Sequence, residues 1–372
     1  MAEITRTTLA DVLNANEVTR NNALANLAEI ARYALFAEDM YVTTDANPVG
    51  DSRFDGWRFV GWLRTTVAAN LIGDISHWLF GTANTTYFGA LFQSQDNTNQ
   101  YLVALRGTES GPEWVQNCVA LPHILQSFKV RIAAALVEKG GAPIKHHSGG
   151  SVPSGFHGIY ENLTLGLDGA SAPDAYVMIT RAITELQRQA GATWDSAQIV
   201  VTGHSLGAAV ASYLAYDLVT QAAAKKLDLY MFASPMAGDS IYVRSFHGLD
   251  SKRGGGSSCD LNVVSVIFER DLVPMTPPAY APMLDTLKII APGGTAHGQQ
   301  YLTACEIEDT PGGNHHVICY AAMLSSATAI ATKCDARDKD NVACIVTAGA
   351  RPPLATTPYI AAPAWNAIYP AP

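Results

Sequence analysis

Apolar positions recur at helical spacing from about residue 18 to residue 38, which predicts an N-terminal helix. The stretch from Trp57 to Phe80, rich in Trp, Leu and Val, reads as a second helix. The period then changes: TYFGALFQSQ and QYLVALRGT are β-rich runs separated by DNTN, the pattern of an antiparallel hairpin. Beyond Gly155 helical and strand patterns alternate. Asp174 to Gln189 is an amphipathic helix, AQIVVT a short buried strand, and SLGAAVASYLAYDLVTQAAAKK a helix of small and apolar residues. LDLYMFASP, NVVSVIFERD and LKIIAP read as further strands, and Val317 to Thr332 as a buried helix. Apolar strands alternating with helices predict an α/β fold: a mostly parallel central sheet with helices on both faces. No repeat or low-complexity linker divides the chain, so residues 1–372 are expected to form one domain. The proline-rich tail beyond Ala350 is expected to lie extended on the surface.

Composition narrows the function. Apolar residues make up 48% of the 372 and charged residues 15%, a globular balance. With 24 basic against 33 acidic residues the net charge is -9, which argues against nucleic acid or an anionic membrane as an electrostatic partner. Contact with lipid through apolar side chains stays open. Val317 to Thr332 is shorter than the roughly 20 residues that a membrane span needs, so no transmembrane segment is expected. The N-terminus lacks the basic start and apolar stretch of a secretory signal, as in a chain not exported by that route or one whose signal has been removed. Six cysteines include no C-x-x-C pair, which argues against a zinc site; a bridge from Cys334 to Cys344 could close the polar loop between them.

The chemistry concentrates at Gly203-His204-Ser205-Leu206-Gly207. The pattern G-x-S-x-G is weak alone, but here it follows the strand IVVT and opens a helix of small residues. That is the strand–turn–helix setting of a nucleophile elbow, where a serine is exposed on a tight turn. Gly203, Gly207, Ala208 and Ala209 are small enough for strand and helix to approach. The N-terminus of the helix points unpaired amides at a developing oxyanion.

A serine nucleophile on such an elbow needs an acid and then a histidine, in that chain order. Asp271 follows the strand NVVSVIFE and precedes a proline-rich turn; Asp239, one strand earlier, is its rival, and Glu269 still lies within the strand pattern. Three histidines follow Asp271: His297, His315 and His316. The last two sit on a glycine-bearing loop leading into the helix VICYAAMLSS, so one of them is the expected base. His146 and His147 come in the wrong order for this role.

These segments together resemble the class 3 lipases, the fungal-type triacylglycerol lipases and their bacterial and plant relatives, over about Ala31 to Leu324. YLVALRGTESGPEW is similar to the family's strand ending in Arg-Gly-Thr or Arg-Gly-Ser, SGFHGIY to its Gly-Phe segment, and VTGHSLGAAVA to its nucleophile motif. FASPMAGD and RDLVPMTPP are similar to two further family motifs. The resemblance implies an α/β-hydrolase fold with a helical lid, and hydrolysis of carboxylic esters, foremost triacylglycerols; a short-chain, feruloyl or phospholipid esterase, or an inactive lipid-binding relative, are the alternatives. It implies an oxyanion hole from Thr108 and the backbone amide of Leu206. It favours His315 over His316 as the base, because Tyr320 and Leu324 stand at the family's offsets from His315.

The expected mechanism is then a Ser205–His315–Asp271 triad working through an acyl-enzyme, with no metal or organic cofactor and a lipid or ester substrate as partner. Residues about 111–154 are longer than in short fungal relatives and are expected to form the lid. Within them, LPHILQSFKVRIAAALVEK places its apolar residues on one helical face, and the glycines of KGGAPIKHHSGGSVPSG could serve as a hinge. A surface helix fixed on the core is the plainer reading of the same pattern. Residues about 335–372 form a C-terminal extension.

Overall fold

The computed structural model describes residues 17–42, 56–65, 86–107, 143–166, 175–251, 259–269, 271, 273–277, 280–283, 286–290, 315–324, 329–332 and 342–347. Thr108, the expected lid helix, His297, Cys334 and the proline-rich tail lie outside them.

Among the described residues ten strands form one sheet, in the order β11-β12-β10-β9-β8-β7-β3-β2-β1-β6. Its centre is built from β3 (Gln100–Leu105), β7 (Gln198–His204), β8 (Lys226–Phe232), β9 (Asp260–Phe268) and β10 (Thr286–Ile290). These run parallel to one another in that order, and β12 (Val342–Thr347) continues the parallel set beyond β10. The β2 strand (Thr86–Ser94) pairs antiparallel with β3, and β1 (Trp57–Thr65) pairs antiparallel with both β2 and β6 (Leu163–Gly166). The DNTN hairpin and the alternating α/β half of the chain therefore stand as the sequence pattern implies. A separate two-stranded sheet joins β4 (Pro143–Lys145) to β5 (Ser151–Pro153), which leads into α2 (Ser154–Glu161).

The central strands are apolar on both sides because both faces are covered. Ile199 and Val201 of β7 and Leu227, Leu229 and Met231 of β8 feed one core. Into it pack Val210, Leu214 and Leu218 of α4 (Leu206–Thr220) and Ile179 and Ile183 of α3 (Ala175–Ala190). The alternate residues Val200, Tyr230 and Phe232 face the opposite core. There they meet Tyr33, Phe36 and Ala37 of α1 (Glu17–Val42) and Tyr320 and Met323 of α6 (Val317–Leu324). Tyr33 stacks on Tyr230 with centroids 4.2 Å apart, and Thr202 of β7 donates its hydroxyl hydrogen to the Tyr33 carbonyl at 3.0 Å. Each fully buried aliphatic side chain of β7 contributes about 1.5–3 kcal/mol relative to exposure. No described helix is long and apolar enough to cross a membrane.

Two expectations change. The start of the expected second helix, Trp57–Thr65, is β1. Its alternation is hidden by register shifts between Phe59 and Gly61 and between Leu63 and Arg64. Pairing sets Phe59 opposite Phe92 and lets Trp62 pack on Tyr87 at 5.2 Å, contacts that a helix could not supply. Similarly, the helix expected over Val317 to Thr332 ends at Leu324, and Ala329–Thr332 forms β11, antiparallel to β12. Ser325 and Ser326 weaken helix propensity there, and the deciding partner, β12, comes from the stretch read as an extension. Of the loop offered as a hinge, residues 143–155 are described and 139–142 lie outside the described residues. Between its arms β4 and β5 it carries His146 and His147; the Ser151 carbonyl accepts the Asp239 amide at 2.8 Å, and the Ser151 amide donates to Asp239 Oδ2 at 2.9 Å.

Candidate active site

Ser205 stands between the last residue of β7 and the first of α4, with φ 56° and ψ -131°. A β-substituted residue rarely adopts that conformation, and the cost is of order 1–3 kcal/mol. The surroundings hold it there. The Ser205 amide donates to the Phe232 carbonyl of β8 at 2.9 Å, and the Ser205 carbonyl accepts from Ala208 at 2.9 Å. Strand and helix pass so closely that a Cβ on Gly203 would lie 2.5 Å from the Gly207 carbonyl oxygen. One on Gly207 would lie 2.2 Å from the Arg106 carbonyl oxygen. Only glycine fits either place.

The elbow opens at the C-terminal ends of the parallel strands, the edge at which open α/β sheets gather ligands. Asp271 follows β9 at the same edge, and its amide donates to the Phe268 carbonyl at 3.0 Å. His315 lies two residues before the start of α6. The structure brings the three side chains into one line: His315 Nε2 lies 2.8 Å from Ser205 Oγ and His315 Nδ1 lies 2.8 Å from Asp271 Oδ2. A carboxylate only accepts, so Nδ1 carries the hydrogen and Nε2 offers its lone pair to the serine hydroxyl. All three residues are buried. Asp271 is itself held at both oxygens: Oδ1 accepts the Val273 amide at 2.9 Å and Oδ2 accepts the Tyr320 hydroxyl at 2.7 Å. Burial and then the Asp271 charge push the Tyr320 phenol well above its ordinary pKa, so it stays a donor.

The other candidates fall elsewhere. His316 stands outside this line, and burial with the neighbouring His315 pulls it down to about 4. Asp239 caps α5 (Ser240–His247): its Oδ1 accepts the amides of Ile241 and Tyr242, both at 2.9 Å. His147 pairs with Asp217 at 2.8 Å, near the C-terminal end of α4 and about 18 Å along that helix from Ser205. Leu206 is the first residue of α4, so its amide belongs to the turn where no intrahelical carbonyl can receive it. The macrodipole of α4 adds partial positive charge at that point.

Two residues beside these three side chains, Tyr41 of α1 and His204, carry no signal in the sequence for a place in the site. His204 is the variable position of the G-x-S-x-G pattern, and Tyr41 is more than 160 residues away in the chain, bonded to His204 Nδ1 at 2.7 Å. No local signal marks Tyr41; only the packing of α1 against the sheet brings it there.

Residues 102–281 match the family model described as lipase (class 3). That stretch is just under half of the chain, and over it the chain resembles the class 3 lipases. Among curated relatives, the phospholipase A(1) DAD1 of Arabidopsis thaliana is 27% identical over 277 residues, covering 67% of this chain and 55% of the relative. The phospholipase A1-II 7 of Oryza sativa subsp. indica is 29% identical over 191 residues, covering 48% of this chain and 41% of the relative. The chain thus spans only about half the length of the relatives it matches. Among solved structures, the native Rhizomucor miehei lipase propeptide complex aligns over 84% of this chain and 82% of its own, at 16% identity and a TM-score of 0.47.

Proposed function

We propose that this chain is a serine carboxylic ester hydrolase of the class 3 lipase kind acting on acyl lipids, with Ser205 as nucleophile, His315 as base and Asp271 as orienting acid. The observation that carries the reading is the uninterrupted line from Ser205 Oγ to His315 to Asp271, with both links at 2.8 Å. The serine oxygen attacks the ester carbonyl carbon while its proton passes to His315 Nε2. Asp271 stabilises the imidazolium, and the Leu206 amide at the start of α4 receives the oxyanion, with Thr108 as its expected partner. Collapse breaks the carbon–oxygen bond to the alcohol, which takes the proton from His315. Water then repeats the sequence and frees the acid.

Triacylglycerol is the first substrate reading, from the sequence motifs. Phospholipid esters are the second, favoured by the two relatives named as phospholipases A1. Fatty-acid release from emulsified triolein and from phosphatidylcholine vesicles separates the two.

The reading is tested first at the serine. A fluorophosphonate should label Ser205 alone, and Ser205→Ala should abolish both labelling and hydrolysis of p-nitrophenyl butyrate with the fold retained. His315→Ala should lower kcat by about four orders of magnitude, as for other triad members, whereas His316→Ala should keep most of it. Labelling at another residue, or an active Ser205→Ala variant, would overturn the assignment.

A further inference from the structure

Two side chains that take no part in the proposed proton transfers join the parts of the site. His204 is buried at the end of β7, with its Nε2 2.7 Å from the backbone carbonyl oxygen of His315. Its Nδ1 lies 2.7 Å from the Tyr41 hydroxyl. The same hydroxyl is 2.8 Å from the amide of Gly107, the residue that follows Arg106 off the end of β3 and precedes Thr108.

The three bonds have one consistent direction. A carbonyl only accepts, so His204 Nε2 carries a hydrogen. Burial, and next the neighbouring His315, hold His204 well below the ordinary histidine pKa, so the ring is neutral and Nδ1 is bare. Tyr41 therefore donates to Nδ1, and its oxygen accepts the Gly107 amide. Each donor finds one acceptor, and reversing any bond would leave two donors or two acceptors face to face.

Resting on the hydrolase reading above, we propose that Tyr41 and His204 are positioning residues that lock the backbone of the base to the backbone at the end of β3. One end of this relay sets the backbone of His315; the other sets the amide immediately before Thr108. Both ends flank Ser205, and the ring of His204 lies 4.8 Å from that of His315, centroid to centroid. Nucleophile, base and oxyanion donors must agree in position before substrate arrives, and a misplacement of about 1 Å costs on the order of 100-fold in rate. The relay supplies that agreement from α1, an element that contributes nothing to the triad itself.

The test uses the full chain, p-nitrophenyl butyrate and a fluorophosphonate. Tyr41→Phe keeps the ring and removes only the hydroxyl. It is expected to lower kcat about 10- to 100-fold with KM within about twofold, and to slow phosphonate labelling in parallel. His204→Gln can still donate to the His315 carbonyl from its side-chain amide, so it should retain several-fold more kcat than His204→Leu. A folded Tyr41→Phe with unchanged kcat, whatever its melting temperature, would overturn the proposal, and so would equal kcat in the Gln and Leu variants. Wild-type protein that leaves Ser205 unlabelled would instead overturn the hydrolase reading beneath it.

Discussion

Tyr320 donates its hydroxyl hydrogen to Asp271 Oδ2, the same oxygen that faces His315 Nδ1. The tyrosine also accepts the Phe268 amide at 3.0 Å, so it ties the carboxylate to the end of β9 from which Asp271 emerges. Tyr320→Phe removes one of two donors to that oxygen and leaves a buried amide without this acceptor. An unsatisfied buried polar group costs about 1–3 kcal/mol, so the variant should lose stability of that order in urea denaturation. Its kcat should fall about tenfold, by the looser orientation of Asp271, with KM little changed.

The elbow glycine at 207 should tolerate no side chain. A Cβ there would stand 2.2 Å from the Arg106 carbonyl oxygen, a backbone atom with no rotamer to change. Gly207→Ala must push α4 away from β3, at about 1–3 kcal/mol of overpacking strain. Because the same displacement moves Ser205, activity should fall further than the loss of stability explains. Measuring the urea midpoint together with kcat on p-nitrophenyl butyrate checks both halves.

Histidine burial predicts the response to acid. His146 lies among His147, His157, Tyr213, Tyr216 and Tyr242, and burial first, then its two histidine neighbours, hold it down to about 3. His157 is lowered too, chiefly by burial. An unfolded histidine binds a proton below about pH 6.5, while the folded one stays neutral until far lower. The stability that neutral His146 provides is therefore complete above about pH 6.5 and is lost as the pH falls towards 3, by up to about 1.4 kcal/mol per pH unit. Asp217 acts in the opposite sense, because burial raises its carboxyl. That contribution falls as the pH rises through its folded value, so it offsets part of the acid slope only at the low end. Melting temperature should drop between pH 7.5 and pH 5, and His146→Gln should flatten that drop.

Much of this site was legible in the sequence because its determinants are local. The elbow needs glycine at 203 and 207 with small residues following, and Asp271 and His315 each sit at the junction of a strand or helix with a turn. The α/β half was equally legible, since β7, α4 and β8 each carry one unbroken pattern. The losses have a common physical cause. In β1 two register shifts scramble the alternation, and β11 owes its existence to pairing with β12, a strand further along the chain. Tyr41 and His204 matter through single hydrogen bonds between distant elements, which leave no periodic trace.

The two rival acids should separate cleanly when each is changed. Asp271 has both oxygens engaged at the site, towards Val273, Tyr320 and His315. Asp271→Asn keeps the shape but can present an amide hydrogen to His315, favouring the wrong tautomer, and should lower kcat by about four orders of magnitude. Asp239 instead caps α5 through Oδ1 and receives the Ser151 amide on Oδ2 at 2.9 Å, which pins β5 to that helix. Those backbone amides hold its carboxyl below the ordinary value despite the opposing cost of burial. Asp239→Ala should therefore cost about 0.5–2 kcal/mol in urea denaturation, the range for a lost N-cap, and leave kcat within a few-fold of wild type. A depressed carboxyl of this kind stabilises the fold above the unfolded pKa near 4 and ceases to do so as the pH falls through its lower folded value. The stability gap between wild type and Asp239→Ala should accordingly be widest near neutral pH and close in acid. If Asp239→Ala were the inactive variant and Asp271→Asn remained active, the catalytic acid would lie one strand earlier, and the 2.8 Å bond between Asp271 and His315 would be structural only.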